Sequence, residues 1–196
     1  MTAEKGALLI LDEVINGFRF GFHGYGRVAG VQPDLTTLGK ILGGGLPVGG
    51  VVGRKDILER LAPLGGVYQA GTMAGNPVAL AAGIATLDIL RDTDAYARLD
   101  ELGKTLEQRF AQHALAKKAR LVRVGSIVWP YFETAGALPK EASDISAAAA
   151  QRYHGAYRGW LAKGVYLPPS AYEVSFLSTA HTYAHLDQYL DALAAE

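Results

Sequence analysis

"ALLILDEV", residues 7–14, is an unbroken apolar run closed by two acids, Asp12 and Glu13. Alternation would mark a sheet with one wet face. A continuous run instead predicts a strand covered on both faces, as in the parallel sheets of α/β folds. Open sheets of that kind collect ligands at the C-terminal ends of their strands, which is where Asp12 falls. Only "MTAEKG" precedes the run. A strand with interior composition and so little chain before it is expected to present an edge and a face that need a partner.

Working outward, residues 15–32 are rich in glycine and aromatics and are read as an irregular connection. "PDLTTLG", 33–39, reads as a second short strand that delivers Lys40 at its end, and "VGGVVG", 48–53, as a third. A short helix, "RKDILERLA", stops before Pro63. Asn76 and Pro77 are placed to cap and open a longer helix whose body, "VALAAGIATLDIL", is apolar on nearly every side and is expected to be buried. Residues 94–119 have helical periodicity with one charged face; Lys117, Lys118 and Arg120 close it as a solvated basic cluster.

"LVRVGSIVWPYFET" turns to strand, with Pro130 marking a bulge or an edge. Asp144 is expected to cap a helix reaching about Lys163, and a closing helix starts at Thr182. The boundary near residue 93 separates a glycine-rich half, 1–93, from an α+β half, 94–196.

With 196 residues and 49% hydrophobic content, the chain can bury a substantial core. Nineteen basic residues balance nineteen acidic ones, so no net field favours nucleic acid or an anionic membrane. No segment approaches the roughly 20 apolar residues that span a bilayer. The absence of cysteine excludes disulfides and thiolate chemistry and suits a reducing cytoplasm.

Of eight lysines, Lys40 alone lies between an apolar approach and a glycine cluster, Gly43, Gly44 and Gly45. A nucleophilic amine needs partial desolvation, and small neighbours leave room for a planar ligand. The competing reading is a strand-end lysine reaching into water. Asp12, at the end of a buried strand, is costly unless paired with a cation or engaged in structural hydrogen bonds. In "QAGTMAGNP" the exposed donors of Gly71 and Thr72 suit a phosphate, although any tight loop before a capped helix has the same pattern.

Other motifs do not hold. "GYGRVA" satisfies G-x-G-x-x-A, but Pro33 interrupts any helix after it and no βαβ context is expected around it. His181 and His185 have metal-ligand spacing, yet Thr182 caps a helix between them and no third ligand is indicated, so no metal is expected.

Four segments, "LLILDEVINGFR", "PDLTTLGKILGGGLPVGG", "VYQAGTMAGNPVALAAG" and "GVYLPPSAYEVSFLSTAHT", together resemble the class III pyridoxal-phosphate aminotransferases, in order along almost the whole chain. The resemblance implies an α/β, fold type I transferase with pyridoxal 5'-phosphate as cofactor. Residues 1–93 would be the C-terminal part of its large cofactor domain and 94–196 the small α+β domain. Lys40 matches the Schiff-base lysine, Asp12 the acid facing the pyridine nitrogen, and Val14 the side chain packed on the ring. Gly71 and Thr72 match a phosphate contact made across a homodimer, and Glu173 an acidic position near the substrate.

Within the family, ω-amino-acid enzymes carry a carboxylate-clamping arginine in the C-terminal region, and "GVYLPPSAYEVSFLSTAHT" has none. That follows the aminomutase branch, which converts glutamate 1-semialdehyde to 5-aminolevulinate for tetrapyrrole synthesis. Ile15 and Asn16 depart from its commoner wording and leave a related aminotransferase open. Family members are about twice as long, so the resemblance implies a C-terminal portion whose activity depends on an N-terminal half carrying the ring-stacking aromatic and the main phosphate loop.

Overall fold

A computed structural model describes residues 2–195; residues 1 and 196, the outer ends of the two expected domains, lie outside the described residues. The chain forms two compact units, Met1–Tyr96 and Ala97–Glu196.

In the first unit, β1 (Ile10–Glu13) pairs in parallel with β2 (Leu35–Leu38), which pairs antiparallel with β3 (Gly50–Gly53). β1 is therefore an edge strand. Its apolar run is not covered on both faces as the composition predicts; it presents the open edge and face also expected of it, with Leu8 and Ile10 exposed, Ile10 by 57%. Asp34 ties the start of β1 to the rest of the sheet, its Oδ2 accepting the Leu9 N–H at 2.7 Å and its Oδ1 the Arg54 guanidinium at 2.7 Å. These two donors hold the Asp34 carboxyl below its ordinary value.

The connection expected to be irregular contains a helix, α1 (Gly24–Val28). Glycines at two of its five positions hid it, and a carboxylate supplies what propensity does not. Glu13, 4% exposed, accepts the N–H groups of Tyr25 at 2.7 Å and Gly26 at 2.8 Å, satisfying donors that a helix start leaves orphaned. Gly24 has φ +74°, and a Cβ there would come within 2.6 Å of Glu13 Oε2. The G-x-G motif thus sits inside the helix, well beyond the strand end where a dinucleotide loop belongs. A parallel β1–α1–β2 crossover is present all the same.

After α2 (Lys55–Leu58), shorter than the segment 54–62 suggested, α3 (Pro77–Asp92) begins as expected. Asn76 Oδ1 accepts the N–H groups of Val78 at 3.0 Å and Ala79 at 3.2 Å, with Pro77 at the first position. The expected all-round burial is not found. Only Ala79 and Gly83 are buried, while Val78, Leu80, Ile84 and Ile89 are exposed. Within its own unit, α3 packs one face against the 3₁₀ turn Lys40–Gly43 and leaves the others uncovered.

The second unit holds the core. Leu99, Leu102, Leu106 and Phe110 on α4 (Ala95–Gln112) recur at three- and four-residue intervals, as do Leu186, Leu190 and Leu193 on α6 (Tyr183–Ala194). The same core takes in α5 (Ala147–Ala162), whose Trp160 is fully buried, stacked on Phe132 at 5.3 Å and edge-on to Tyr153 at 4.9 Å. Each such side chain contributes about 1.5–3 kcal/mol on burial.

The sheet of this unit orders β4 (Arg120–Val124), β5 (Ile127–Tyr131) and β6 (Ser175–Phe176). Pro130 lies on the central strand, but β6 pairs only with Ile127 and Val128, so Pro130 has an open side, as an edge proline requires. Ser146, not Asp144, caps α5, its Oγ accepting the Ala149 N–H at 3.1 Å. Asp144 instead accepts the Lys140 and Glu141 N–H groups and closes a separate 3₁₀ turn, Ala142–Asp144. In the basic cluster, Arg120 is no free cation: it donates to the carbonyls of Glu133, Ala135 and Gly136.

Candidate functional site

Because β1 and β2 run in parallel, their C-terminal ends share one edge. Asp12 is in register with Thr37 and Glu13 with Leu38; Gly39 and Lys40 follow at once. Asp12 and Glu13 point to opposite faces, as successive strand residues must. Glu13 is buried under α1, and Asp12 is left exposed.

The Asp12 carboxylate is used asymmetrically. Oδ1 accepts the Val14 N–H at 3.0 Å and the Thr37 hydroxyl at 3.2 Å. Among the described residues, Oδ2 accepts no hydrogen bond, and no cation pairs with it. The structural role weighed for Asp12 is thus real, and it occupies one oxygen only.

Lys40 opens the 3₁₀ turn Lys40–Gly43 with φ +46°, one of two non-glycine residues with positive φ among those described. A left-handed lysine costs on the order of 1–2 kcal/mol, and such strain concentrates at functional positions. The preceding Gly39 is pressed on Val14: a Cβ on Gly39 would lie 3.3 Å from Val14 Cγ1. That contact brings Asp12, Val14 and Lys40 together at one end of the sheet.

Two expectations need correction here. Lys40 is exposed, so this unit alone does not desolvate its amine. The glycines after it do not simply clear space for a ligand. A Cβ on Gly44 would meet Thr86 Oγ1 at 2.4 Å and the Ala82 carbonyl at 2.5 Å, and one on Gly83 would meet the Leu42 carbonyl at 2.4 Å. They allow the turn to lie backbone to backbone on α3.

Gly71 and Thr72 are exposed in a turn closed by the Ala74 N–H to the Gly71 carbonyl at 2.9 Å. Gly71 and Thr37 both line a cleft of about 1080 Å³ walled by Val51, Leu61, Met73 and Leu80. Glu173 belongs to the second unit, where it lines a cleft of about 680 Å³ with Tyr166, His181 and His185. The two histidine rings lie 6.0 Å apart. Each Nδ1 accepts a backbone N–H, from Ser178 and Thr182 respectively, so a neutral ring carries its proton on Nε2 and has no free lone pair for a metal. Among the described residues no group of three His, Cys, Asp or Glu side chains is placed to hold a metal, and no helix is long and apolar enough to cross a membrane.

Thr37 and Glu13 were not singled out in the sequence. Glu13 was visible only as half of an acidic pair. Thr37 becomes informative only through the strand register, which a single sequence does not specify.

The profile of the family "Aminotransferase class-III" matches residues 1–156. Proteins named glutamate-1-semialdehyde 2,1-aminomutase from Persephonella marina and Thermus thermophilus are each 45% identical to this chain over 196 and 194 residues, covering 97% of it. The chain spans about 45% of the length of each. Among solved structures, an omega-transaminase from Sphaerobacter thermophilus superposes with a TM-score of 0.84 at 29% identity, over 99% of this chain and 44% of the other. A glutamate-1-semialdehyde-aminomutase from Pseudomonas aeruginosa PAO1, 24% identical, shares the fold with a TM-score of 0.79 over 98% and 45%.

Proposed function

The chain belongs to the class III aminotransferases, and from that membership we propose that it is the lysine-bearing part of a pyridoxal-phosphate aminomutase converting glutamate 1-semialdehyde to 5-aminolevulinate. The observation that carries this reading is the meeting of Asp12, Val14 and Lys40 at the shared C-terminal edge of β1 and β2. The relatives at 45% identity bear that activity in their names.

The donor set fits the cofactor. A carboxylate with one filled and one open oxygen suits a ring N–H cation, a primary amine suits an aldehyde, and an exposed turn with a hydroxyl suits a phosphate. Asp12, Val14 and Lys40 would hold it, with Gly71 and Thr72 toward the phosphate. Bound there, pyridoxal phosphate supplies an aldehyde and an electron-withdrawing ring.

Asp12 Oδ2 keeps a positive N–H in place, which a neutral partner cannot do. Val14 fixes the tilt of whatever lies over the strand end. Lys40 Nζ would be the general base and acid that moves protons between substrate and cofactor carbons in an internal amino-for-oxo exchange. Glu173 is assigned to the substrate side. Residues 1–93 belong to the cofactor domain and 94–196 to the small domain. The complete enzyme is read as a cytoplasmic homodimer, in keeping with the cysteine-free composition and the outward-facing Gly71–Thr72 turn. The exposed apolar residues of the first unit support a further part of the reading, that the 196-residue chain by itself lacks a complete site.

The test co-expresses this chain with the N-terminal half of a relative and supplies glutamate 1-semialdehyde without an added oxo acid. Production of 5-aminolevulinate is expected, and Lys40→Ala should lower it by on the order of 10²–10⁴-fold. Strict dependence on a second oxo substrate would favour an aminotransferase acting on another amine. A borohydride-trapped cofactor on a different lysine would overturn the role of Lys40. Full activity of the chain without the added half would overturn its dependence on one.

A further inference from the structure

We infer that Thr37 is a positioning residue that acts through Asp12, fixing which carboxylate oxygen faces the cofactor; the inference rests on the proposed role of Asp12. A free aspartate rotates about its terminal torsion over a broad, two-fold well, so its two oxygens are interchangeable. Here they are not. The parallel register sets Thr37 directly beside Asp12 on the same face, and its hydroxyl donates to Oδ1 at 3.2 Å. The Val14 N–H donates to the same oxygen at 3.0 Å, from the turn that leaves β1. Two donors from two strand ends converge on one oxygen, and among the described residues nothing donates to the other.

An exposed carboxylate with no such bias would spend part of its time with its plane turned away from the ligand. The Val14 N–H alone is a local bond within two residues and would swing with the chain end. The Thr37 hydroxyl comes from a residue twenty-five positions away, on a strand hydrogen-bonded on both sides. It therefore references the carboxylate to the sheet. Thr37 also lines the 1080 Å³ cleft with Gly71, so it sits where the β2 face meets the space beside the strand ends. Leu38 and Thr36, its neighbours on β2, face the other way and cannot substitute for it.

The test uses the chain complemented by an N-terminal half and measures two quantities: the dissociation constant of the cofactor from the apoprotein, and kcat against KM. Thr37→Val keeps the β-branched shape and removes the donor. It should weaken cofactor binding and lower kcat by about 10-fold each, as for loss of one hydrogen bond to a charged group, with KM little changed. Thr37→Ser should recover most of both. In an Asp12→Asn background the same Thr37→Val change should add less than about 2-fold, since the two residues act as one.

Additive losses in that cycle, failure of serine to rescue, or wild-type binding by Thr37→Val would each overturn the assignment. So would a fall in melting temperature that accounts for the Thr37→Val loss. If Asp12→Asn weakens binding while Thr37→Val does not, only this inference falls. If neither variant alters cofactor binding, the role proposed for Asp12 falls with it.

Discussion

The two units solve opposite problems with similar amounts of chain. In Ala97–Glu196, six large hydrophobic residues are exposed and a continuous core runs from Leu99 to Leu193. Among the described residues of Met1–Tyr96, eighteen are exposed, and the buried hydrophobics are two alanines, Ala79 and Ala95. Yet Asp12, Val14, Lys40, Gly71 and Thr72 all belong to the poorly covered unit. The candidate site is thus built on backbone rather than on packing. Parallel register, a glycine-to-helix approach and a carboxylate-capped helix place its groups, and the apolar surface around them is free for other chain to cover.

The contrast can be broken most directly by truncation. Trp160→Ala, in the core of the second unit, should cost about 3–5 kcal/mol in urea unfolding, whereas Ile84→Ala on α3, 61% exposed, should change stability by no more than about 0.5 kcal/mol. Comparable losses at both positions would mean that the exposed face of α3 is covered in solution, and light scattering would show whether by a second copy.

A second measurement is alkaline. Burial pushes the Tyr153 phenol up to about 12 from 10.0, and its hydroxyl donates to the Pro168 carbonyl at 2.7 Å. Because the folded value is raised, the contribution of neutral Tyr153 is complete below about pH 10 and is lost as pH rises toward 12. Ultraviolet titration should show this phenolate appearing with unfolding of the second unit, and Tyr153→Phe should remove that part of the pH dependence. A phenolate forming near pH 10 in the intact fold would contradict its burial.

The smallest expected effect sharpens the picture of the first unit. Asn76→Ala removes the acceptor for the Val78 and Ala79 N–H groups and should cost about 1 kcal/mol. Hydrogen exchange should accelerate in the first turn of α3 while the α5 amides stay protected. Equal acceleration in both helices would mean that the two units unfold as one.

Several features were legible in the sequence for physical reasons that survive in the structure. Asn76 and Pro77 announce α3 because capping is local chemistry, and the apolar intervals on α4 and α6 match one buried helix face. Asp12 and Lys40 do stand at strand ends, as read, and their roles there are the proposal made above. What failed depended on partners distant in sequence. The apolar run 7–11 and the body of α3 carry the composition of buried elements, but composition does not say which chain buries them. α1 was missed because its stability comes from Glu13, eleven residues upstream of Gly24. The reason for Gly44 lay in Ala82 and Thr86, and a glycine needed for close approach looks like one that clears room.

That last contact turns a loop and a helix into one rigid lever. Between Gly83 and the Leu42 carbonyl there is no side chain to absorb a displacement, and Gly44 meets the Ala82 carbonyl with the short Thr86 hydroxyl beside it. A shift of α3 toward the turn that starts with Lys40 would have to move that turn's backbone with it. A single methyl added at Gly83 would retune the reach of an amine it never touches, so the orientation of Lys40 is inherited from the placement of a helix.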